Sequence, residues 1–504
     1  MAYVVTQSCC ADASCVVACP VNCIHPAPGE PGFATAEMLY VDPATCVGCG
    51  ACVTACPVGA IVPDTALTPA QEPFRALNAD YFEAFPHRDR APVALVPEQR
   101  RLRRPGPFRV AVVGSGPAGL HTADELLRHP EVTRVDVYER LDRPHGLARY
   151  GVAPDHGATR RVSRLLEAIE REPGFRYVLG VEVGTDVFLE ELRERYDAVV
   201  YAVGASADRG LGIPGEHLRG SVAATDLVGW YNDHPDRRGL DVPLDAGSNP
   251  SGRAVVVGAG NVALDVARIL TRPTDSLEGS DIAPAALARL RDSAVREVVV
   301  LGRRGPAQAA FTVPELIGLA GLEDVDVVVE ADPELLCGND PRSRLLSELA
   351  GREVSPGSGR RRLVLRFGHS PAALTGTDRV TGVDVVRNRL VTTPDGTVRA
   401  ERTAAASHLE AGLVVRAVGH RGLPVPGLPY DEATGTVPHR EGRVEPGLYV
   451  VGWAKRGPVG FIGTNKACAR ETVAGLLDDL DAGPAVSAAS RPSAALAGLG
   501  STGT

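Results

Sequence analysis

Two copies of one cysteine pattern near the N-terminus constrain this chain more than any other feature. Cys9-x2-Asp12-x2-Cys15-x3-Cys19-Pro20 and Cys46-x2-Cys49-x2-Cys52-x3-Cys56-Pro57 match throughout at an offset of 37 residues. Val16/Val53, Ala18/Ala55, Val21/Val58 and Ile24/Ile61 share that offset, so the segment is an internal duplication. Thiolates at three-residue steps curl round one iron–sulfur cubane, while the distant cysteine before proline reaches the other cluster. One set is then Cys46, Cys49, Cys52 and Cys19. The other is Cys9, Cys15 and Cys56, with Asp12 where a fourth thiolate would stand. That aspartate leaves two outcomes open, a [3Fe-4S] centre or an aspartate-ligated [4Fe-4S] centre. A zinc ribbon or a disulfide framework explains neither the three-residue steps nor both Cys-Pro pairs. Cys10 and Cys23 lie beside the motif and read as buried spare thiols.

These residues make the first 62 positions resemble a bacterial-type two-cluster ferredoxin, with the aspartate as its departure. At 504 residues the chain exceeds one core. Of its eleven cysteines only Cys337 and Cys468 lie beyond residue 56, which is no extracellular disulfide pattern. No basic-then-apolar leader opens the sequence and no run of roughly 18 apolar residues occurs, so a cytoplasmic protein without a membrane span is expected. The net charge of −9 argues against nucleic acid as a partner, although Arg88, Arg90, Arg100, Arg101, Arg103 and Arg104 cluster locally. Residues 63–106, rich in proline and arginine with little periodicity, read as a linker. Residues 482–504 turn to Ala, Ser, Gly and Pro and read as a disordered tail.

Two dinucleotide fingerprints follow. Val110–Val113 reads as a buried strand, Gly114-Ser-Gly116-Pro-Ala118-Gly119 as a phosphate turn, and Leu120–Leu127 as a helix. A pyrophosphate at such a helix N-terminus meets unpaired N–H groups and the positive end of the helix dipole. The next strand ends in Glu139, an acid placed to hold an unphosphorylated ribose such as that of FAD. The second fingerprint runs from Ala254–Val257 through Gly258-Ala259-Gly260-Asn261-Val262-Ala263 into a helix. Its next strand ends in Arg303-Arg304, and two guanidiniums at the ribose edge suit a 2′-phosphate. NADP(H) is favoured over NAD(H). The fold class expected is α/β, with two Rossmann-like domains after a small α+β ferredoxin domain.

Longer blocks resemble adrenodoxin reductase and the bacterial ferredoxin–NADP reductases similar to it, over roughly residues 107–480: Pro144 to His156, Gly260-Asn261-Val262, Arg303-Arg304, and Gly452 to Asn465. His145 and Phe461 depart from the family pattern. The resemblance implies FAD contacts from Ala118, Glu139, Leu147, Val183, Trp453 and Gly460, Phe461 and Ile462. It implies NADP(H) contacts from Ala259 to Val262, Arg303, Arg304, Glu315 and Gly460. His156 and Glu315 would orient the nicotinamide near the flavin. The similar runs Ala198–Gly204 and Leu413–Gly419 would be the crossover strands. The FAD domain is then discontinuous, 107–208 with 415–481, around an NADP domain of 209–414.

Hydride from NADPH carries two electrons and a cluster accepts one, so a flavin must stand between them. The expected protein is an NADPH-dependent flavoprotein ferredoxin reductase with its own ferredoxin. Its external partner would be an electron-acceptor protein, whether a ferredoxin, a cytochrome P450 or another redox enzyme. Two alternatives are a reductase whose N-terminal cluster domain only docks, and an electron-input subunit of a multienzyme complex.

Overall fold

The computed structural model describes residues 1–91, 100–352 and 359–483. Most of the expected tail, from residue 484 on, lies outside them. In the N-terminal domain Tyr3–Val5 pairs antiparallel with Ile61–Pro63, and Ile24–His25 with Tyr40–Val41. The short helices Ser14–Ala18 and Ala51–Ala55 carry the middle of each cysteine motif. The duplication extends to the backbone. Left-handed φ at Ala11, Ala13 and Asn22 recurs at Gly48, Gly50 and Gly59, each 37 residues on. Alanine pays roughly 1–2 kcal/mol for that conformation, so tertiary packing, and not local preference, imposes the loop shape in the first half.

The segment read as a linker differs from expectation. Strand Ile61–Pro63 crosses its start, and helix Pro73–Ala84 occupies its middle. Asn78 on that helix is almost fully buried. Its Oδ1 accepts from the Val5 and Val41 amides at 3.2 and 2.9 Å, and its Nδ2 donates to the Val5 carbonyl at 2.9 Å. Tyr81 stacks on Tyr40 with ring centroids 4.2 Å apart. The helix was hidden because its inward face is short and holds a polar residue, Asn78, that joins two strand edges.

Each dinucleotide fingerprint strand lies within a six-stranded sheet. In the first, Phe108–Val113 lies between Val132–Glu139 and Ala198–Tyr201, all parallel. In the second, Arg253–Val257 lies between Glu297–Gly302 and Leu413–Arg416, again parallel. The expected boundary at 414/415 therefore cuts a strand of the second sheet. The chain returns to the first body a few residues later, where His420–Arg421 pairs with Ala207–Asp208 and staples the two crossings. An antiparallel three-stranded sheet, His369–Thr375, Gly382–Thr392 and Val398–Glu410, flanks the second body. One buried apolar cluster runs from Val5, Val16 and Ile61 into Val110, Leu120 and Leu477. The cluster domain is thus packed against the first dinucleotide domain.

Replacing Asn78 with Ala strands two buried backbone amides at a cost of about 3 kcal/mol. The expected outcome is a lower guanidinium midpoint for bleaching of the cluster absorbance in Asn78→Ala. A segment acting only as a tether would show no change.

Candidate functional site

The two halves of the N-terminal domain form matching cradles. In the second half an apolar pocket is lined by Cys19, Cys46, Cys49 and Cys52, the four residues grouped by spacing. The cysteines before proline receive equivalent bonds, since the Cys23 amide donates to Cys19 Sγ at 3.4 Å and the Ala60 amide to Cys56 Sγ at 3.3 Å. In the first half Asp12 is buried and accepts a bond from Ser14 Oγ. Burial pushes the Cys9 and Cys52 thiols up to about 11, so a metal is needed to hold them as thiolates at neutral pH. Cavity, donor set and loop shape all fit iron–sulfur clusters. Cys23 places its sulfur 3.4 Å from that of Cys19, and Cys10 is buried beside the first cradle.

At the first fingerprint the glycines divide their tasks. A Cβ on Gly119 would stand 2.0 Å from the Gly114 carbonyl oxygen, whereas nothing lies within 4 Å of one on Gly116. The first closes the helix onto the strand, and the second leaves the turn open for a pyrophosphate. Helix Pro117–Leu127 begins there with proline in its first turn. Glu139 accepts from the Ser115 amide and hydroxyl at 3.1 and 2.6 Å, tying the ribose-edge acid to the turn. Two distant blocks join the same place. The Gly146 Cβ position is 3.1 Å from Gly116 Cα, and that of Gly452 is 2.6 Å from Ala118 Cβ. Leu147 and Trp453 follow these glycines, and Leu147 is exposed. Gly460, Phe461 and Ile462 precede helix Thr464–Ala482, and the Phe461 carbonyl accepts from Thr464 Oγ1 at 2.7 Å. Val183 is bridged to Val187 and packs on the apolar cluster of Val113 and Tyr138, and the nearby Val181 amide donates to the Glu139 carbonyl at 3.0 Å.

The second turn is open at Gly260, where the nearest atom to a Cβ is 4.0 Å away. The Ala259 carbonyl accepts from the Ala310 and Phe311 amides at 2.7 and 2.9 Å, and Asn261 Oδ1 accepts from the Thr312 amide at 2.8 Å. Val262 follows in the first turn of helix Asn261–Thr271. Arg303 is exposed and Arg304 half-buried, and neither forms an ion pair among the described residues. Two cations at the end of strand Glu297–Gly302 therefore stand ready for an anion.

His156 and Glu315 meet where the three domains join. His156 Nε2 is 3.7 Å from both Glu315 and Asp265. Between them lies Arg268, buried, donating to both Asp155 oxygens at 2.7 and 3.0 Å and to Asp265 at 2.8 Å. Its guanidinium also stands 2.6 Å from His156 Nε2; because arginine only donates, Nε2 is the accepting nitrogen. Gln7 from the cluster domain donates to Glu315 Oε2 at 3.1 Å. Burial raises the Glu315 carboxyl above its ordinary range, opposed by His156 and Arg268.

Residues 108–304 match the pyridine nucleotide-disulphide oxidoreductase family, and residues 39–62 match a 4Fe-4S binding domain. A probable ferredoxin/ferredoxin–NADP reductase of Mycobacterium tuberculosis is 47% identical, over 98% of this chain and 86% of its own. The chain belongs to the ferredoxin/ferredoxin–NADP reductase family. The mitochondrial NADPH:adrenodoxin oxidoreductase of Arabidopsis thaliana is 40% identical over 75% of this chain and 83% of its own. The solved FprA of M. tuberculosis in complex with NADPH is 46% identical, with a TM-score of 0.70, covering 75% of this chain and 85% of that one.

The expected kinship with adrenodoxin reductase holds, and so does the α/β class with a ferredoxin-like start. Sequence reading of this reductase missed Arg268, Asp155, Asp265 and Gln7. One signal was available, since Arg268 interrupts the apolar run Val266 to Leu270, but only packing shows which carboxylates it meets. His121 was also missed. It lies on the helix after the first glycine turn, is buried, and among the described residues neither ring nitrogen has a hydrogen-bond partner. Burial, with Lys466 and Arg128 nearby, pushes it down to about 4 from 6.5.

A depressed folded-state value gives stability that is complete above the unfolded value and is lost as pH falls through the folded one. The reductase should lose about 3 kcal/mol between pH 6.5 and 4 from His121 alone. Denaturant midpoints across that window should fall less in His121→Leu than in the parent, and parallel curves would contradict this.

Proposed function

We propose that the protein takes electrons from NADPH and delivers them, through FAD and the iron–sulfur clusters of its own N-terminal domain, to an external acceptor protein. The observation that carries this reading is the docking of one cradle on the dinucleotide-binding body, where the Gly463 amide donates to the Cys10 carbonyl at 2.8 Å. The fold itself thereby supplies what a flexible tether would supply only as an effective concentration of about millimolar.

Bound FAD turns a two-electron hydride into one-electron steps. The chain's residues bind and orient. Gly114, Gly116, Ala118 and Gly119 would hold the FAD pyrophosphate, with Glu139 on its ribose. Leu147, Val183, Trp453 and Gly460 to Ile462 would contact the rest of the cofactor. Gly258 to Val262 would hold the NADP(H) pyrophosphate, and Arg303 and Arg304 its 2′-phosphate. His156 and Glu315, held in place by Arg268, would position the nicotinamide, a task that needs no proton transfer. Cys46, Cys49, Cys52 and Cys19 would ligate one [4Fe-4S] cluster. Cys9, Cys15 and Cys56 with Asp12 would ligate a [3Fe-4S] or aspartate-bound [4Fe-4S] centre.

An anaerobic NADPH titration of the full chain, followed by flavin absorbance and cluster EPR, tests the relay. Clusters reduced only when flavin is present support it. Flavin that reduces fully while both clusters stay oxidised, though dithionite reduces them, refutes it in favour of a domain that only docks. A second measurement tests the ribose edge. Each charge-assisted bond to phosphate contributes about 1.5–3 kcal/mol, so Arg303→Ala/Arg304→Ala should raise the KM for NADPH by at least about tenfold. The KM for NADH should barely move. Equal losses for both nucleotides would reject the assignment.

A further inference from the structure

The two cradles are not placed alike. The first-half loop is pressed against the reductase. A Cβ on Gly463 would lie 2.2 Å from the Asp12 amide nitrogen and 2.4 Å from the Ala11 carbonyl carbon, so backbone meets backbone with no side chain between. The Cys10 carbonyl accepts from the Gly463 amide, and Gln7, two residues before Cys9, donates to Glu315. Ile462, next to Gly463, packs on the same apolar cluster that contains Cys15. The second-half loop faces outward. Val47 is 62% exposed and Cys49 is exposed. Among the described residues no hydrogen bond or ion pair links residues 43–55 to the dinucleotide-binding domains.

From this asymmetry we infer a direction built into the duplication: the half bearing Cys9, Asp12, Cys15 and Cys56 receives electrons from the flavin side, and the half bearing Cys19, Cys46, Cys49 and Cys52 passes them out. The inference rests on the relay reading and adds the order within it. The physical reason is that tunnelling rates fall steeply with distance. The half in backbone contact with the residues next to Gly460–Ile462 is the near one, and the half with an exposed ligand is the one an acceptor protein can approach. The halves themselves are close, since Cys19 and Cys56 each cross from one motif to the other set. The balance is NADPH plus two oxidised acceptors giving NADP+, one proton and two reduced acceptors. Each half is therefore traversed twice per NADPH, and the proton leaves to solvent.

The test uses the full-length, cluster-loaded protein, NADPH as reductant, cytochrome c as one-electron acceptor, and freeze-quench EPR to follow each cluster. In Cys49→Ser the Asp12-containing set should still be reduced by NADPH within about twofold of the parent rate, while cytochrome c reduction falls at least about tenfold. In Cys15→Ser the four-cysteine set, shown to be loaded by dithionite, should be reduced by NADPH at least about tenfold more slowly. The opposite pattern, in which Cys49→Ser blocks reduction of the Asp12 set or Cys15→Ser leaves the other set at the parent rate, overturns the order. If Cys49→Ser loses iron from both halves, Cys49→Asp replaces it, because the fold already houses an aspartate at the equivalent position 12, and the reading is then the Asp12 set alone: reduction within about twofold of the parent rate supports the order and an about tenfold slowing overturns it. The relay itself fails in a distinguishable way: in the parent protein neither cluster is then reduced by NADPH, although the flavin is.

Discussion

At Gly463 two backbones touch, and the rest of the arrangement depends on that contact. The loop of the first cradle can lie on the dinucleotide-binding body only because no side chain intervenes; a methyl group there would overlap the Asp12 amide nitrogen. The contact sits beside Ile462, which is part of the apolar cluster shared by the cluster domain and the first dinucleotide domain. Burial of that shared surface makes the docking durable, and the Cys10–Gly463 hydrogen bond gives it register.

Polar groups add specificity where the apolar ones give only adhesion. Glu37 accepts from the Val313 amide and from Arg342, and Asp80 pairs with Arg344, so the cluster domain also grips the second dinucleotide domain. Near these contacts Arg268 stands among Asp155, Asp265 and Glu315, with His156 against it. A buried arginine is tolerable only when its charge and its donors are met, and here they are met by residues from two domains. Glu315, which the family resemblance connects with nicotinamide, thus also touches the cluster domain through Gln7.

Much of this was legible in one dimension, for reasons that differ from element to element. Cysteine spacing is a local property of a tight loop, so the grouping of Cys19, Cys46, Cys49 and Cys52 around one pocket could be read from the three-residue steps and the Cys-Pro pairs. Strand, glycine turn and helix are likewise local, which is why both fingerprints lie where the apolar runs placed them. Helix Pro73–Ala84 was not legible. Its stability comes from Asn78 joining the edges of Tyr3–Val5 and Tyr40–Val41, strands that lie 32 or more residues away in the chain. The boundary within Leu413–Arg416 was misplaced because an apolar strand looks the same whichever sheet it joins; only its pairing with Arg253–Val257 assigns it.

By itself, then, the sequence determined the local motifs: which thiols and carboxylate are spaced as in a two-cluster ferredoxin, which glycine turns join a strand to a helix, and which strand end carries two arginines. Each of these depends on residues a few positions apart, where chain connectivity sets the geometry. The tertiary structure decided the arrangement. It set which cradle lies against the dinucleotide-binding body, brought Gln7 within hydrogen-bond reach of Glu315 across 308 residues, and held Ala11 and Ala13 in a backbone shape they do not favour. These outcomes arise from packing between distant segments, where burial and backbone contact, and not sequence separation, determine what meets what.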